Sequence, residues 1–397
     1  MAGIDDQQAF SGIRVFDATQ GIAGPHSTML LAQHGADVVK MEPPEGDWGR
    51  VLGKTIGQTC VHFLAFNRGK RSICLDAKSA EGRRITRDLV AKADVFVESF
   101  RPGAIANIGL SYEEVREINP EIVYASISGF GQSGPFTKRP TVDLLIQAYS
   151  GMMVMNKGND GLPHRQNMIA VDVLTGLYAF QALSTAIIRK IRFGKGSRLD
   201  ISLMQAAAAF QAAKVMEFHE AKGKPLPLYM PSGMMPTADG MMVISGMRSA
   251  HFKALCEVVG RPDMAGDPRY ETQELRLKNS PQMMADLRTE FPRRTTAEWL
   301  KDLHARGVMA ERVLDYGQWL EEEHVKAVKS VAWTEFDGFG SLPVVNIPGV
   351  TPIQDFPEST YVPLMGEDGP DILRGIGYSD ADIDALVAGG KVQVTTR

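Results

Sequence analysis

The chain has 397 residues, of which 44% are hydrophobic and 23% are charged, a composition that indicates a globular protein with room for two domains. Its formal net charge is −4, so the sequence as a whole offers no basic field to hold a nucleic-acid backbone. Three scattered cysteines, Cys60, Cys74 and Cys256, form no CxxC pair, which disfavours both a disulfide framework and a zinc site.

The N-terminal segment MAGIDDQQAF is acidic and lacks the apolar stretch of a secretory signal. No run approaches the ~18 consecutive apolar residues that a membrane-spanning helix needs. We therefore expect a soluble, cytoplasmic protein.

Short apolar segments alternate with amphipathic ones through the first part of the chain. The predicted strands are Ile13–Phe16, Ala36–Met41, Arg71–Leu75, Ala93–Glu98 and Ile122–Ile127. The predicted helices are His26–His34, Ala80–Ala91 and Tyr112–Ile118, with Gly21–Pro25 as a loop. Strands separated by helices predict βαβ units and a mainly parallel sheet.

Two long helices are predicted next, Val171–Arg192 and Leu199–Lys222. The second is apolar nearly all round and is therefore expected to be buried. After the linker Gly223–Pro227, a strand near Met241 and helices at Ser249–Val259, Pro281–Glu290 and Thr296–Arg306 indicate a smaller second domain. Strand-like residues 331–348 and a closing helix Asp380–Val387 complete the chain.

The segment Gly129–Gly134, GFGQSG, matches the GxGxxG pattern directly after a predicted strand. A dinucleotide site would need a helix to begin at these glycines, but Pro135 and Phe-Thr-Lys-Arg-Pro follow, which disfavours a nicotinamide or flavin site. Because α/β sheets bind ligands at the carboxyl ends of their strands, the loop is still predicted to border the site.

Basic residues cluster in loops near predicted strand ends: Arg68, Lys70, Arg71, Lys78, Arg101, Lys138 and Arg139. For any one of them, a solvated surface position is the simpler interpretation. Together, on the loop side of a sheet, they suit a ligand that carries several phosphates, and coenzyme A is one such ligand.

Asp172 lies at the start of a long apolar helix, in IAVDVLTG. From position alone, the simpler interpretation is a capping or first-turn aspartate that accepts backbone N–H groups. The alternative is a nucleophile, because a helix start favours the ionised carboxylate while apolar surroundings leave it poorly solvated. Asp143 also starts a predicted helix and is the competing candidate.

These segments together resemble the class III CoA-transferases, the family of formyl-CoA and carnitine CoA-transferases. Each matching stretch is weakly specific alone, but nine occur in the family's order over almost the whole chain: GIRVFDATQGIAGP, HGADVVKMEPPEGDWGR, NRGKRSICLDAK, ADVFVESFRPGAIANIGL, ISGFGQSGP, DLLIQAYSG, VDVLTG, SVAWTEF…VNIPGVTP and GEDGPDILRGIGYSDADIDALV.

The resemblance implies an α/β fold with a Rossmann-like large domain, whose sheet is mainly parallel, and a smaller α+β domain. The large CoA-binding domain would take its N-terminal part from residues 1–222 and be completed by a return segment, 331–397. The small domain would cover residues 223–330. Two subunits are expected to form an interlocked homodimer.

The resemblance also implies roles for particular residues. Asp172 would be the catalytic nucleophile, and Asp143 a neighbour that shapes the pocket together with Val142 and Gly131. Coenzyme A contacts are expected by motif position at Ile22, Ala23, Leu75, Lys78, Ser99, Phe100, Arg101, Asn107 and Arg139, or Lys138 beside it.

The chain departs from the family pattern at three places. Pro43 stands where some members carry a basic residue for the nucleotide. Val142 stands where the family's racemases carry a histidine, so one of the two acid/base groups of a racemase is missing. Residues 229–240, YMPSGMMPTADG, contain less glycine than the flap of the oxalate-specific members.

The sequence therefore predicts a CoA-transferase that moves coenzyme A from an acyl-CoA donor to a carboxylic acid acceptor through a covalent intermediate on Asp172. Coenzyme A would be a substrate, with no metal and no permanently bound cofactor. A 2-methylacyl-CoA racemase or epimerase of the same fold and a non-catalytic acyl-CoA-binding protein are the alternatives. His164 and Arg165 are candidates to pair with a second carboxylate on a dicarboxylic substrate.

Overall fold

The computed structural model describes residues 8–158, 160–224 and 227–397. It contains two compact units, one formed by Met1–Ala212 with Lys329–Arg397 and the other by Ala213–Val328. Most of the acidic N-terminal segment and residues 225 and 226 of the predicted linker lie outside the described residues.

The first unit begins with eight strands and eight helices among its described residues. The strands are β1 (Arg14–Ala18), β2 (Asp37–Glu42), β3 (Thr55–Ile56), β4 (Thr59–Cys60), β5 (Arg71–Leu75), β6 (Val95–Glu98), β7 (Val123–Ser128) and β8 (Ser197–Ser202). The helices are α1 (Ala23–Gln33), α2 (Val61–Phe66), α3 (Ala80–Lys92), α4 (Tyr112–Ile118), α5 (Asp143–Tyr149), α6 (Met152–Met155), α7 (Ala170–Phe193) and α8 (Leu203–Phe210).

Helix α9 (Ala212–Glu220) leads into the second unit. That unit has a three-stranded antiparallel sheet of β9 (Ser232–Pro236), β10 (Met241–Ser245) and β11 (Met309–Arg312). Its helices are α10 (Ser249–Val258), α11 (Pro262–Ala265), α12 (Gln273–Lys278), α13 (Ser280–Arg288), α14 (Thr296–Ala305), α15 (Tyr316–Glu321) and α16 (Glu323–Ala327).

The chain then returns to the first unit. The hairpin β12 (Val331–Phe336) and β13 (Gly340–Val345) is followed by helices α17 (Gly369–Gly375) and α18 (Asp380–Ala388) and by strand β14 (Val392–Gln393). Strand β14 pairs antiparallel with β5, so the C-terminal segment adds an edge strand to the sheet that the N-terminal part builds.

Within the described residues, the large sheet has seven strands in the order β14-β5-β2-β1-β6-β7-β8. All of them are parallel except β14. Strands β6 and β7 are buried at every position, because apolar clusters pack on both faces of the sheet. The prediction of an α/β fold with a mainly parallel sheet is confirmed.

The strand order reverses between β1 and β6. From β1 the chain builds outward through β2 and β5, and from β6 it builds in the opposite direction through β7 and β8. In α/β folds of this kind, ligands bind at such a reversal, outside the carboxyl ends of the strands.

The stretch Leu199–Lys222 is not the single buried helix that its apolar residues predicted. It contains the end of strand β8, then α8 and α9, which are separated at Gln211. None of the nine residues of α9 is buried, and Met216 is 73% exposed. An apolar pattern alone does not tell whether a helix is covered by its own chain.

The predicted loop Gly21–Pro25 is shorter than expected, because α1 already begins at Ala23. Pro25 lies in the first turn of the helix, where the missing N–H of proline costs no intrahelical hydrogen bond.

Helix α7, alone among the described residues, is long and apolar enough to cross a membrane by length and composition. The prediction that no segment approaches this limit was wrong, since a few polar side chains do not lower its mean hydropathy enough. In the protein α7 packs against α1 and buries Val171, Ala179 and Leu183, contacts that are typical of a core helix.

The chain leaves the first compact unit after Ala212 and returns to it after Val328. The domain limits predicted from the sequence instead follow residues 222 and 330. The first difference arises because the sequence interpretation joined α8 and α9 into one helix and placed the limit at its end. The limits of the functional domains stay a prediction.

Candidate active site

A cavity of about 480 Å³ opens at the carboxyl ends of β1, β6 and β7, at the reversal of strand order. Its wall belongs entirely to the first unit and consists of Gln20, Ile22, Ala23, Gly24, Trp48, Leu52, Ser99, Ile127, Ser128, Gly129, Thr141, Val142, Asp143, Leu144, Gln147, Arg165, Gln166, Asn167, Met168, Ile169, Asp172 and Leu203. Six residues proposed as the nucleophile, as pocket residues or as coenzyme A contacts converge here: Ile22, Ala23, Ser99, Val142, Asp143 and Asp172. Arg165, proposed for a second carboxylate, lines the same cavity.

Asp172 lies in the first turn of α7, where an aspartate commonly accepts backbone N–H groups. Asp143 performs this role instead. Its Oδ2 accepts the N–H groups of Val171 at 2.6 Å and of Asp172 at 2.9 Å, whereas the N-cap residue Ile169 provides no side-chain acceptor. The capping function that position alone favoured for Asp172 therefore belongs to Asp143, and the Asp172 carboxylate faces the cavity.

The Asp172 side chain is half-buried. Burial, and then the negative charge of Asp143, raises the pKa of Asp172 to about 7. No cation and no hydrogen-bond donor among the described residues offsets this effect. A carboxylate that is poorly stabilised as an anion is a stronger base and a better nucleophile than an exposed one.

A chain of side-chain hydrogen bonds fixes the start of α7. Gln147 donates through Nε2 to Asp143 Oδ1 at 2.6 Å, and its Oε1 accepts the N–H of Gln166 at 2.9 Å. Gln147 is buried. Helix α5 therefore holds both Asp143 and the segment that precedes α7.

The loop after β1 is held by side chains of the segments that follow β6 and β2. The N–H of Gln20 donates to Ser99 Oγ, and the N–H of Gly21 donates to Asp47 Oδ1, each at 2.9 Å. Asp47 is fully buried and pairs with Lys40 at 2.7 Å. These contacts place Ile22 and Ala23, the first residues after the loop, on the cavity wall.

Trp48 forms the outer side of this wall. It follows Asp47, whose Oδ1 also accepts the N–H of Gly49 at 2.7 Å. Gly21 has a φ of +80°, and a Cβ atom there would lie 2.0 Å from the Trp48 ring. Glycine at position 21 is therefore required both by the backbone conformation and by the close approach of the indole.

A second cavity of about 390 Å³ lies at the carboxyl ends of β1, β2 and β5 and shares Gln20 with the first. It is lined by Ala18, Gln20, Met41, Pro43, Pro44, Glu45, Leu75, Asp76, Ala77, Lys78, Phe100 and Ile108. Three residues expected to contact coenzyme A, Leu75, Lys78 and Phe100, lie here. Pro43, a departure from the family pattern, lines the same cavity.

Glu98, the last residue of β6, fixes the turn that carries Ser99 and Phe100. Its Oε2 accepts the N–H of Phe100 at 2.8 Å. Burial raises the pKa of Glu98 to about 7. The turn between the two cavities is thus held by a carboxyl group that is not paired with a cation among the described residues.

Four proposed residues do not line either cavity: Arg101, Asn107, Gly131 and Arg139. Arg101 and Asn107 are exposed, and Arg139 stacks on the ring of Phe136, with 4.8 Å to its centroid. The N–H of Gly131 donates to Ser128 Oγ at 3.0 Å. The glycine-rich loop nevertheless borders the cavity through Gly129, and no helix begins at its glycines.

Helices α1 and α7 approach closely because Gly176 has no side chain. A Cβ atom at Gly176 would lie 2.5 Å from His26 Nδ1. His26 is buried, its Nδ1 lies 3.2 Å from the Val173 carbonyl oxygen, and burial lowers its pKa to about 4. A neutral imidazole therefore packs one turn beyond Asp172.

Sequence reasoning missed Asp47, Trp48 and Gln147 as parts of the site. The sequence did contain a signal for Asp47, because Lys40 lies inside the apolar strand β2 and a buried lysine requires an acidic partner. Gln147 offered no such signal, because its role depends on Asp143 and Gln166 meeting in space.

Among the residues that the structure describes, no group of three or more histidine, cysteine, aspartate or glutamate side chains could hold a metal ion.

Residues 10–369 match the model of CoA-transferase family III. The acetyl-CoA:oxalate CoA-transferase of Acetobacter aceti is 35% identical over 78% of this chain and 82% of that protein. The succinyl-CoA:glutarate CoA-transferase of Mus musculus is 31% identical over 98% of this chain and 91% of that protein. The crystal structure of a CAIB/BAIF family protein from Brucella suis superposes with a TM-score of 0.82 at 30% identity, covering 94% of this chain and all of that one.

Proposed function

This chain belongs to CoA-transferase family III and is a CoA-transferase; we propose that it moves coenzyme A from an acyl-CoA donor to a carboxylic acid acceptor with Asp172 as the covalent carrier. The observation that carries this proposal is the state of the Asp172 carboxylate. It lines the cavity at the sheet reversal, its capping role is taken by Asp143, and its pKa is raised to about 7.

The first half of the proposed reaction releases the donor acid. The Asp172 carboxylate attacks the thioester carbonyl, the C–S bond breaks, and an acyl–aspartyl anhydride forms together with CoA thiolate. The thiolate then attacks the aspartyl carbonyl of the anhydride. The donor acid leaves as a carboxylate, and CoA is held as an aspartyl thioester.

The second half reverses these steps with the acceptor. The acceptor carboxylate attacks the aspartyl thioester and gives a second anhydride and CoA thiolate. The thiolate attacks the acyl carbonyl of the acceptor, forming the new acyl-CoA and restoring the Asp172 carboxylate. Atoms and charge balance at each step and no oxidation state changes, so the proposed scheme uses no redox cofactor.

Oxyanions form at each attack and require hydrogen-bond donors. The backbone at the start of α1, at Ala23 and Gly24, lines the cavity, and its N-cap residue Ile22 provides no side-chain acceptor. We assign the oxyanion contacts to these N–H groups. The N–H of Gly131, a residue expected to shape the pocket, is already donated to Ser128 Oγ.

Coenzyme A is proposed to extend across both cavities. Its thiol end would lie near Asp172, beside Ile22, Ala23 and Ser99. Its nucleotide end would lie in the second cavity, against Leu75, Lys78 and Phe100, where Lys78 can contact a phosphate. Arg101, Asn107 and Arg139 remain proposed contacts at the exposed rim.

An interlocked homodimer is proposed as the working form. Helix α7 exposes Ile188, Ile191 and Phe193, and the segment that includes α9 exposes apolar residues as well: Phe210, Val215, Met216 and Phe218. Exposed apolar patches of this kind are typical of subunit interfaces. A cytoplasmic location is proposed with it.

The test is trapping of the covalent intermediate. Incubation of the purified enzyme with an acyl-CoA, followed by peptide mass spectrometry, is expected to find an adduct on the peptide that contains Asp172. Asp172→Asn should lack the adduct and lose exchange by about 10³-fold or more. Glu117→Gln, a change of an exposed carboxylate on α4, is the control.

Full exchange activity in Asp172→Asn would refute the mechanism. Deuterium uptake at the α-carbon of the acyl group without CoA exchange would favour the racemase alternative. Binding of acyl-CoA with neither reaction would leave the non-catalytic alternative.

A further inference from the structure

Arg165 contributes the single positive charge to the described wall of the cavity that contains Asp172. The other charged residues on this wall are Asp143 and Asp172. The oxygens of Asp143 are occupied by two backbone N–H groups and by Gln147. A substrate in this cavity therefore meets one reacting carboxylate and one guanidinium.

The peptide group that follows Arg165 is fixed by hydrogen bonds on both its oxygen and its N–H. Its carbonyl oxygen accepts a hydrogen bond from Asn156 Nδ2 at 3.4 Å, and the next N–H, that of Gln166, donates to Gln147 Oε1 at 2.9 Å. Gln147 in turn bonds Asp143, the residue that caps α7. The base of the arginine is thus tied to the same network that places Asp172.

Only one edge of the Arg165 guanidinium has a hydrogen-bond partner among the described residues. Its Nε donates to Asn167 Oδ1 at 3.0 Å, and no carboxylate of the described residues lies within ion-pair distance of Arg165. This leaves the two terminal nitrogens free within the described structure. A free pair of parallel N–H donors matches the geometry of a carboxylate.

His164, the other residue that the sequence suggested for this purpose, is used differently. Its Nε2 pairs with Asp160 at 2.9 Å in an exposed contact, and it does not line the cavity. The two neighbouring residues therefore differ in role: His164 pairs within its own loop, and the exposed residue Arg165 lines the cavity that contains Asp172.

We propose that Arg165 binds the second carboxylate of a dicarboxylic acid, so that the enzyme transfers CoA between dicarboxylates. This inference rests on the proposed function and assigns its substrate class. One carboxylate of the acid reacts at Asp172, and the other is held by the terminal nitrogens of Arg165. Asn167 orients the guanidinium through its hydrogen bond with Arg165 Nε.

The experiment compares acids that differ only in the second carboxylate. Exchange from one CoA donor, the acyl-CoA that labels Asp172 most fully, is measured with succinate against butyrate and with glutarate against valerate. The wild-type enzyme is expected to favour the dicarboxylate in at least one pair. Arg165→Met should lower kcat/KM for that dicarboxylate by roughly tenfold to a hundredfold and leave the monocarboxylate nearly unchanged.

Two further variants separate charge from geometry. Arg165→Lys keeps the charge but not the parallel donors, so it should retain an intermediate preference for the dicarboxylate. Lys157→Met removes an exposed cation from the same loop that does not line the cavity. This matched control should leave the ratio of the two acids unchanged.

Equal wild-type activity with both members of each pair overturns the inference, and so does an equal loss for both acids in Arg165→Met. In these cases the adduct on Asp172 still forms, and the proposed transferase function stands. Absence of that adduct with every donor would instead overturn the proposed function, and the assignment of Arg165 with it.

Discussion

Carboxylates that are withdrawn from solvent behave in opposite ways in two regions of this protein. Near the loop that follows β1, Asp17 and Glu42 are buried against cations: Asp17 pairs with Lys70 at 3.0 Å, and Glu42 with Arg50 at 2.6 Å. At the start of α7, no cation of the described residues offsets the burial of Asp172, and the charge that acts on it is that of another aspartate, Asp143. The difference lies in the partner rather than in burial alone.

The pKa values follow the partners. Burial alone would raise the pKa of Asp17, but Lys70, Lys40 and the hydroxyls of Thr19 and Thr28 lower it to about 2. The pKa of Glu42 is likewise lowered to about 2 against the effect of burial, chiefly by Arg50. The pKa of Asp172 is raised to about 7. Asp17 and Glu42 are paired with cations and hold the scaffold, whereas Asp172 has the raised pKa on which its proposed role as nucleophile depends.

Removing a paired carboxylate should have the largest effect on stability. Asp17→Ala leaves Lys70 buried without its ion pair, and the free energy of unfolding should fall by about 3–5 kcal/mol. Urea denaturation measures the loss. Asp37→Ala breaks an exposed pair with Arg71 and should cost no more than about 1 kcal/mol; equal losses in the two variants would contradict the comparison.

Removing the carboxylate of Asp172 should instead increase the free energy of unfolding. The folded state holds the proton of Asp172 more tightly than the unfolded state, so wild-type stability falls as pH rises from about 4 to about 7. Asp172→Asn removes this effect and should raise the free energy of unfolding at pH 8 by roughly 1–3 kcal/mol, with a smaller gain at pH 5.

Urea denaturation at both pH values provides the measurement. The control is Asp384→Asn on α18, which changes an exposed aspartate and should show no such dependence on pH. A loss of stability in Asp172→Asn at pH 8 would mean that Asp172 supports the fold.

The smallest predicted effect concerns the charge of Asp143. The proposed mechanism requires ionised Asp172, so kcat/KM should rise with pH to a plateau with a midpoint near the pKa of about 7. In Asp143→Asn the amide oxygen can still accept a backbone N–H, but the charge is gone. The midpoint should therefore move down by roughly one pH unit.

The pH dependence of kcat/KM provides this measurement as well. A midpoint that stays near 7 in Asp143→Asn would show that burial alone sets the pKa of Asp172. Loss of activity without a shift would mean that Asp143 acts only as the helix cap.

Much of the fold was predictable from the local pattern of apolar and polar residues. Strand β5 and helix α4 have the predicted bounds, and the other strands of the parallel core lie within two residues of theirs. These elements are recognisable because buried parallel strands are short apolar runs between amphipathic helices. The edge strand β8 was missed, since four of its six residues are polar or charged and its neighbour is distant in sequence.

The site was predictable where chemistry depends on residue type and order. Asp172, Asp143 and the loop residues Ile22, Ala23 and Ser99 were named from their motifs, and the structure brings them to one cavity. Which aspartate caps α7 was not predictable, because both begin helices. Only the contact of Asp143 Oδ2 with the N–H groups of Val171 and Asp172 distinguishes them.

The sequence by itself determined the parallel α/β core, the family resemblance and the list of candidate residues, because these depend on apolar periodicity and motif order. The tertiary structure decided which carboxylate is paired and which is free, and that Arg165 rather than His164 faces Asp172's cavity. A shifted pKa and a binding geometry depend on residues that are distant in the chain and close in space. They are therefore set only when the sheet and its helices have packed.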